Sequence, residues 1–341
     1  MTMIKDFRTT PRSRAEWALL GTILIVFVLG VAKLLGQPGL VASWAVLMTY
    51  LADSAGTYRQ RLGGMGTFAA IALVQLVLVG LLGDELAPIL VLLFGASFVG
   101  SWLMGYGGRA ALVGFVSIIW ITLMPGLGVA GDFLPSLAGF LVGTGLVLVA
   151  GVVVAQLRES GDWLADRSPV FESRQHDVAT LASWSLVRAI AITIGGLIGS
   201  QYLELNQLWI ALTVNLILPP VLATTWQRGA LRAVGTVLGA IVGVAIVVLT
   251  ADLDPSLLVF ELLAAFLVLY TAKGFSYGVF VFFLSVFIVT QLGLSDIEKA
   301  NFGASERVIA TLVGVGIAFI TALILRFIVD RSPSRREAAL T

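Results

Sequence analysis

Charged and strongly polar residues in this chain gather in short clusters. Between the clusters run apolar stretches of roughly 17–25 residues, the length that crosses a bilayer as a helix. The first half gives such segments at about 15–36, 39–55, 61–83, 86–104, 109–127 and 134–157. A polar stretch, 158–180, follows and contains Arg158-Glu159-Ser160-Gly161-Asp162 and Arg174-Gln175-His176-Asp177. The second half gives about 182–200, 206–225, 230–250, 256–272, 275–294 and 305–329. The pattern predicts an all-α integral membrane protein of about twelve transmembrane helices, arranged as two parallel-oriented six-helix repeats. Residues 1–157 form the first repeat, 158–180 a cytoplasmic linker, 181–330 the second repeat, and 331–341 a cytoplasmic tail.

Composition agrees and removes other classes. The 341 residues are 58% hydrophobic and 12% charged, against roughly 25% charged in soluble domains. A net charge of +1 gives no global field to attract nucleic acid. With no cysteine and one histidine, disulfides and cysteine-ligated zinc are excluded, and histidine metal chemistry nearly so. No cofactor is expected. No nucleophile–base pair or metal cluster marks an enzyme. The basic start (Lys5, Arg8, Arg12, Arg14) leads into a full-length span, which argues against a cleaved signal peptide.

One stretch occurs twice. Arg228-Gly229-Ala230-Leu231-Arg232-Ala233-Val234-Gly235-Thr236 opens an apolar segment, and Arg59-Gln60-Arg61-Leu62-Gly63-Gly64-Met65-Gly66-Thr67 opens another 169 positions earlier. Gly105-Tyr106 and Gly274-Phe275 keep the same spacing, and Trp44 and Trp209 each precede the arginine turn. Six spans per half leave both halves in one orientation, related by an axis along the membrane normal, with a pathway expected at their interface. The distribution of Lys and Arg places both termini and the linker in the cytoplasm. Of 21 such residues, only Lys33, Lys299 and Arg307 then fall on the far side, while Arg188 falls near the cytoplasmic end of its span.

Further residues carry a family resemblance. They are Leu208-Trp209-x-Ala211-Leu212-Thr213, then Pro219-Pro220, Arg228, Arg232-x-x-Gly235-Thr236-x-x-Gly239, and Glu306-Arg307-x-x-Ala310-Thr311-x-x-Gly314. The chain resembles the fusaric acid resistance and aromatic acid exporter superfamily, most sharply over 183–329. The resemblance implies an inner-membrane efflux transporter of aromatic or other organic acids, commonly working with a periplasmic membrane-fusion adaptor. It also implies kinship to plant malate channels. The chain departs from larger relatives, which carry a big cytoplasmic domain after each half.

The residues themselves nominate a site. Arg59, Arg61, Arg228 and Arg232 would form a basic ring at the cytoplasmic mouth, where a guanidinium pairs bidentately with a carboxylate. The same arginines serve equally as topology determinants reaching lipid phosphates. Thr213 and Asn215 lie mid-span beside Trp209, before a proline pair that ends the helix and frees backbone carbonyls. They form an acid-binding floor or hydrogen bonds between helices. Trp44 and Trp209 stack on an aromatic substrate or sit in an interfacial belt. An ionised carboxylate deep in the bilayer costs at least about 2.5–3.5 kcal/mol, which nominates Glu261 for proton coupling; a shallow position hydrated from the far side is the alternative. Asp53 is the second such candidate and is also placed to pair with Arg59 or Arg61. Gly235, Gly239 and Gly243 predict close helix packing. Gly63-Gly64-Met65-Gly66 lacks the ending of a phosphate loop, so uphill transport needs an ion gradient or a partner.

The primary expectation is a proton-driven exporter of small organic acids in a bacterial inner membrane. Its expected partners are the acid, the lipid bilayer, an adaptor and further copies of the chain. An anion channel on the same fold and a non-transporting scaffold for an adaptor are the competing expectations.

Overall fold

The computed structural model describes residues 11–34, 39–53, 58–83, 85–157, 178–218, 225–250, 254–272, 275–293 and 297–330. Linker residues 158–177 with His176, the pair Pro219-Pro220, the Lys273-Gly274 turn and the tail from 331 lie outside them.

Among the described residues there are twelve α-helices, one for each apolar segment. The first six are α1 (Pro11–Leu34), α2 (Leu40–Leu51), α3 (Tyr58–Leu82), α4 (Leu86–Gly105), α5 (Gly108–Leu123) and α6 (Phe133–Leu157). The second six are α7 (Val178–Tyr202), α8 (Trp209–Ile217), α9 (Thr225–Leu249), α10 (Asp254–Ala272), α11 (Tyr277–Gly293) and α12 (Ile297–Asp330). Seven helices (α1, α3, α4, α6, α7, α9 and α12) are long and apolar enough to cross a membrane. The protein is therefore an all-helical, multi-pass membrane protein. Of the remaining five, α2, α5, α8 and α11 are shorter than the sequence pattern alone predicts, and α8 has only nine residues.

Length and burial go together. A helix that is apolar all round finds its place inside a bundle. Every residue of α8 is buried, as are Val41 to Tyr50 of α2. The buried positions of α5 and α11 run almost unbroken over Val116–Leu123 and Leu284–Gln291. These four helices form an inner set. The other eight wrap around them and carry nearly all the large exposed apolar side chains, such as Val91, Leu141, Ile190 and Ile320. Such faces suit lipid.

The neighbours are specific. Within the first six helices, α1 packs on α2 and α6, α2 on α6, α3 on α5 and α6, and α4 on α5. Within the second six, α7 packs on α8 and α12, α8 on α12, α9 on α11 and α12, and α10 on α11. Contacts between the two sets run through α1 with α10, α4 with α7, and α5 with α8. The α9–α11 contact is close because α9 offers glycines. A Cβ on Gly235 would lie 2.7 Å from the Gly278 carbonyl oxygen, and one on Gly243 would lie 2.8 Å from Val289 Cβ. The expected close packing of Gly235, Gly239 and Gly243 is thus present. The α4–α5 turn needs two left-handed residues, Gly107 (φ 68°) and Gly108 (φ 53°), a conformation open to glycine at little cost.

Candidate functional site

One face of α12 assembles the densest polar cluster. Arg307, Thr311 and Gly314 stand four and three residues apart and so share a helix face. Arg307 is 3% exposed. Its guanidinium lies over the Trp209 ring, 5.3 Å from the centroid, within the range of a cation–π contact. Its Nη2 donates to Ser285 Oγ of α11 at 3.3 Å, while its Nε has no partner. Thr311 Oγ1 donates to Thr236 Oγ1 of α9 at 3.4 Å. Gly314 faces Thr213, where an added Cβ would come within 2.6 Å of Thr213 Cβ. The preceding Glu306 accepts the backbone N–H groups of Glu204 and Leu205, and so pins the loop that leads into α8.

The facing stripe of α9 contributes Arg232, Gly235, Thr236 and Gly239. Arg232 is 1% exposed, and its Nε and Nη1 have no partner. It is close enough to act electrostatically on Arg307. Among the described residues, neither arginine has an ion-pair partner. Two like charges are thus buried together with hydroxyls of Thr236, Ser285 and Thr311 around them. Burying one charged side chain without its counter-charge costs several kcal/mol.

The four arginines expected at one mouth occupy four different environments. Arg59 is exposed, Arg228 is half-buried with its guanidinium 5.8 Å from the Tyr277 ring centroid, and Arg232 is inside the bundle. Arg61 forms an ion pair with Asp53 and donates from Nε to Asp53 Oδ1 at 2.8 Å. Asp53 also accepts from Trp17 Nε1 at 3.0 Å. Of its expected partners, Asp53 has therefore taken Arg61, next to the C-terminus of α2.

Trp44 and Trp209 are both buried, not interfacial. Trp44 Nε1 donates to Gln291 Oε1 of α11 at 2.9 Å, and Phe287 packs edge-on at 5.7 Å. One Trp209 face carries Arg307. Thr213 and Asn215 are buried in α8, with Asn215 accepting from Arg188. Glu261 is 1% exposed in α10, and neither carboxylate oxygen has a partner.

Pattern reading missed Arg307, Ser285, Gln291 and Arg188 as site residues. The charge distribution alone places Arg188 and Arg307 toward span ends. In fact Arg188 is fully buried in the middle of α7, and Arg307 is buried inside α12. For Arg188, apolar residues on both sides (Leu186-Val187 and Ala189-Ile190) were the available signal; Arg307 follows Ser305-Glu306 and carries no such signal. Ser285 and Gln291 carry no such signal, because a neutral polar residue in an apolar run is ordinary.

Residues 190–321 match the family model described as fusaric acid resistance protein-like. The cluster of Trp209, Thr213, Arg232, Thr236, Ser285, Arg307 and Thr311 lies wholly inside that span. The chain is also similar to uncharacterized protein slr1298 of Synechocystis sp., at 28% identity over 137 residues. That alignment covers 39% of this chain and only 18% of the Synechocystis protein. No solved structure matches the chain. Over residues 190–321, then, this membrane protein carries a fusaric acid resistance protein-like domain.

Proposed function

We propose that the protein is a secondary exporter of small organic, including aromatic, acids across a bacterial inner membrane, with both termini in the cytoplasm. One observation carries the reading: Arg232 and Arg307 are both buried, close enough to act on each other electrostatically, and among the described residues neither has a carboxylate counter-charge. Ionisable groups inside a membrane bundle mark ligand or ion pathways, and a carboxylate ligand supplies the missing charge. It would receive charged hydrogen bonds from the free guanidinium N–H groups, and further hydrogen bonds from the Ser285, Thr236 and Thr311 hydroxyls. Trp209 and Thr213 border the same place, and Trp44 and Asn215 brace the short helices beside it. Arg59 and Arg228, at the starts of α3 and α9, draw anions toward the bundle. The family match adds weight, because its description names resistance to an organic acid.

Two six-helix halves underlie this reading. Most neighbour relations in the first six helices recur in the second six at the same positions, and the seams α1–α10 and α4–α7 exchange under the same pairing, whereas the α11–α12 and α5–α8 packing has no equally close counterpart among the described residues. A two-fold arrangement about the membrane normal explains that recurrence. The buried arginine pair belongs to the second half alone. Glu261 serves as the proton carrier, its carboxyl having no protein partner. A periplasmic adaptor and further copies of the chain complete the proposed assembly.

The test is transport in proteoliposomes with labelled benzoate and fusaric acid. Accumulation against a gradient, driven by a pH difference and abolished by an uncoupler, is expected. Arg232→Ala and Arg307→Ala should each lower it at least tenfold. Glu261→Gln should lose pH-driven accumulation while keeping benzoate–benzoate exchange. A current that reverses at the anion equilibrium potential and ignores the pH difference would select a channel instead. Full export by the arginine variants would reject the site.

A further inference from the structure

Helix α8 ends where its sequence can no longer satisfy it. In an α-helix the carbonyl of residue i accepts from the N–H of residue i+4. For Asn215 and Leu216 those residues are Pro219 and Pro220, which have no N–H. A carbonyl stranded inside an apolar bundle is costly. Arg188 fills part of the gap from the neighbouring helix α7. Its Nη2 donates to the Asn215 carbonyl oxygen at 3.0 Å and also to Asn215 Oδ1, and its Nε donates to the Leu218 carbonyl oxygen at 3.0 Å. Its Nη1 donates to Ser101 Oγ of α4 at 2.6 Å, and the guanidinium stands 5.5 Å from the Trp184 ring centroid. The side chain is fully buried and none of these acceptors is a carboxylate. A cation at this place also meets the negative end of the α8 dipole.

We propose that Arg188 is the positioning residue of α8: it supplies the donor that Pro219 withholds from the Asn215 carbonyl and a second one to the Leu218 carbonyl, and thereby sets where Trp209 and Thr213 stand against Arg307 and Gly314. The other end of α8 is held independently, by Glu306 on the Glu204–Leu205 backbone and by Asn206 Oδ1 accepting from the Leu208 N–H at 2.9 Å. Release of Arg188 therefore frees one end of a nine-residue helix that carries part of the anion site. The effect on anion affinity rests on the transport reading above; the effect on α8 does not.

The chain has no cysteine, so single cysteines report cleanly. Leu216→Cys reads α8 and Leu76→Cys reads α3, both sites being buried. In Arg188→Met, modification of Leu216→Cys by a small thiosulfonate should accelerate at least tenfold, with Leu76→Cys unchanged. Arg188→Lys, which keeps the charge but fewer donors, should fall between. Benzoate affinity should drop at least tenfold in Arg188→Met. Equal acceleration at both cysteines, no acceleration at Leu216→Cys, or unchanged benzoate affinity with α8 freed would each overturn the assignment. If the unmodified protein binds no benzoate while Leu216→Cys behaves as expected, the transport reading fails and the hold on α8 stands. Should Arg188→Met not fold, Asn215→Ala replaces it, removing the Oδ1 acceptor together with the long Nδ2 bond to the Phe115 carbonyl at 3.5 Å. A smaller, α8-specific acceleration is then expected, and none would overturn the proposal.

Discussion

At the scale of single residues, the informative groups are the charges inside the bundle. Arg188, Arg232, Glu261 and Arg307 are all at most 3% exposed. Their treatment differs. Arg188 makes its hydrogen bonds to neutral oxygens, whereas Arg232, Glu261 and Arg307 keep unpaired polar atoms. An unpaired buried charge destabilises the empty protein, and an apolar side chain of similar volume removes that cost. Arg307→Met should therefore raise the melting temperature of the anion-free protein by a few degrees while weakening benzoate binding at least tenfold, about 1.4 kcal/mol. Thermal unfolding with and without benzoate checks both directions. Anion addition should stabilise the parent and leave the variant unmoved. A melting temperature that falls in Arg307→Met would mean that the guanidinium is held by bonds worth more than its burial costs.

Helices turn these residues into a site through small side chains. The α12 glycines make the point, because two of them, two residues apart, face different surroundings. A Cβ on Gly314 would strike Thr213 of α8 at 2.6 Å, but one on Gly316 would meet nothing within 4 Å. Gly314→Ala should push α8 from α12 and lower transport at least severalfold. Gly316→Ala should leave transport intact and stabilise α12 by about 0.5–1 kcal/mol through helix propensity. Paired transport assays and melting curves separate the two. The glycines of α9 and α3 differ likewise. Gly235 lies against the α11 backbone, whereas Gly66, its counterpart 169 positions earlier, has open space. The number and order of the helices were legible in sequence, but the short lengths of α2 and α8 were not. That Gly235 and Gly314 close interfaces while Gly66 and Gly316 do not depends on which helix stands opposite.

The whole molecule is held by one core that crosses from the first six helices to the second. Its largest cluster joins Trp17, Trp44 and Trp120 with Trp209, Val268 and Phe287. The two seams pack through glycine: a Cβ on Gly21 of α1 would meet Leu269 Cδ1 of α10 at 2.6 Å, and Gly105 of α4 faces Leu181 of α7. In this cysteine-free chain, the pairs Gly21→Cys with Leu269→Cys and Gly105→Cys with Leu181→Cys should each cross-link under mild oxidation. Gly21→Cys with Leu181→Cys should not. Electrophoretic mobility after oxidation, reversed by a thiol, is the measurement. Cross-linking of the mismatched pair would break the proposed correspondence between halves.

The sequence alone determined that the chain is helical, that it lives in a membrane and where its twelve helices lie, because those properties follow from local periodicity and the cost of burying backbone polar groups in lipid. It also flagged the motif around Arg232, Glu306, Arg307 and Gly314 without saying that its parts meet. Only the tertiary structure decided that Arg307 stands on Trp209 and that Arg61, not Arg59, pairs with Asp53. It alone put Arg188 at the end of α8. Partner choice between residues as far apart as Trp209 and Arg307 depends on which helices become neighbours, and an apolar run looks the same from every side until a neighbour is in place.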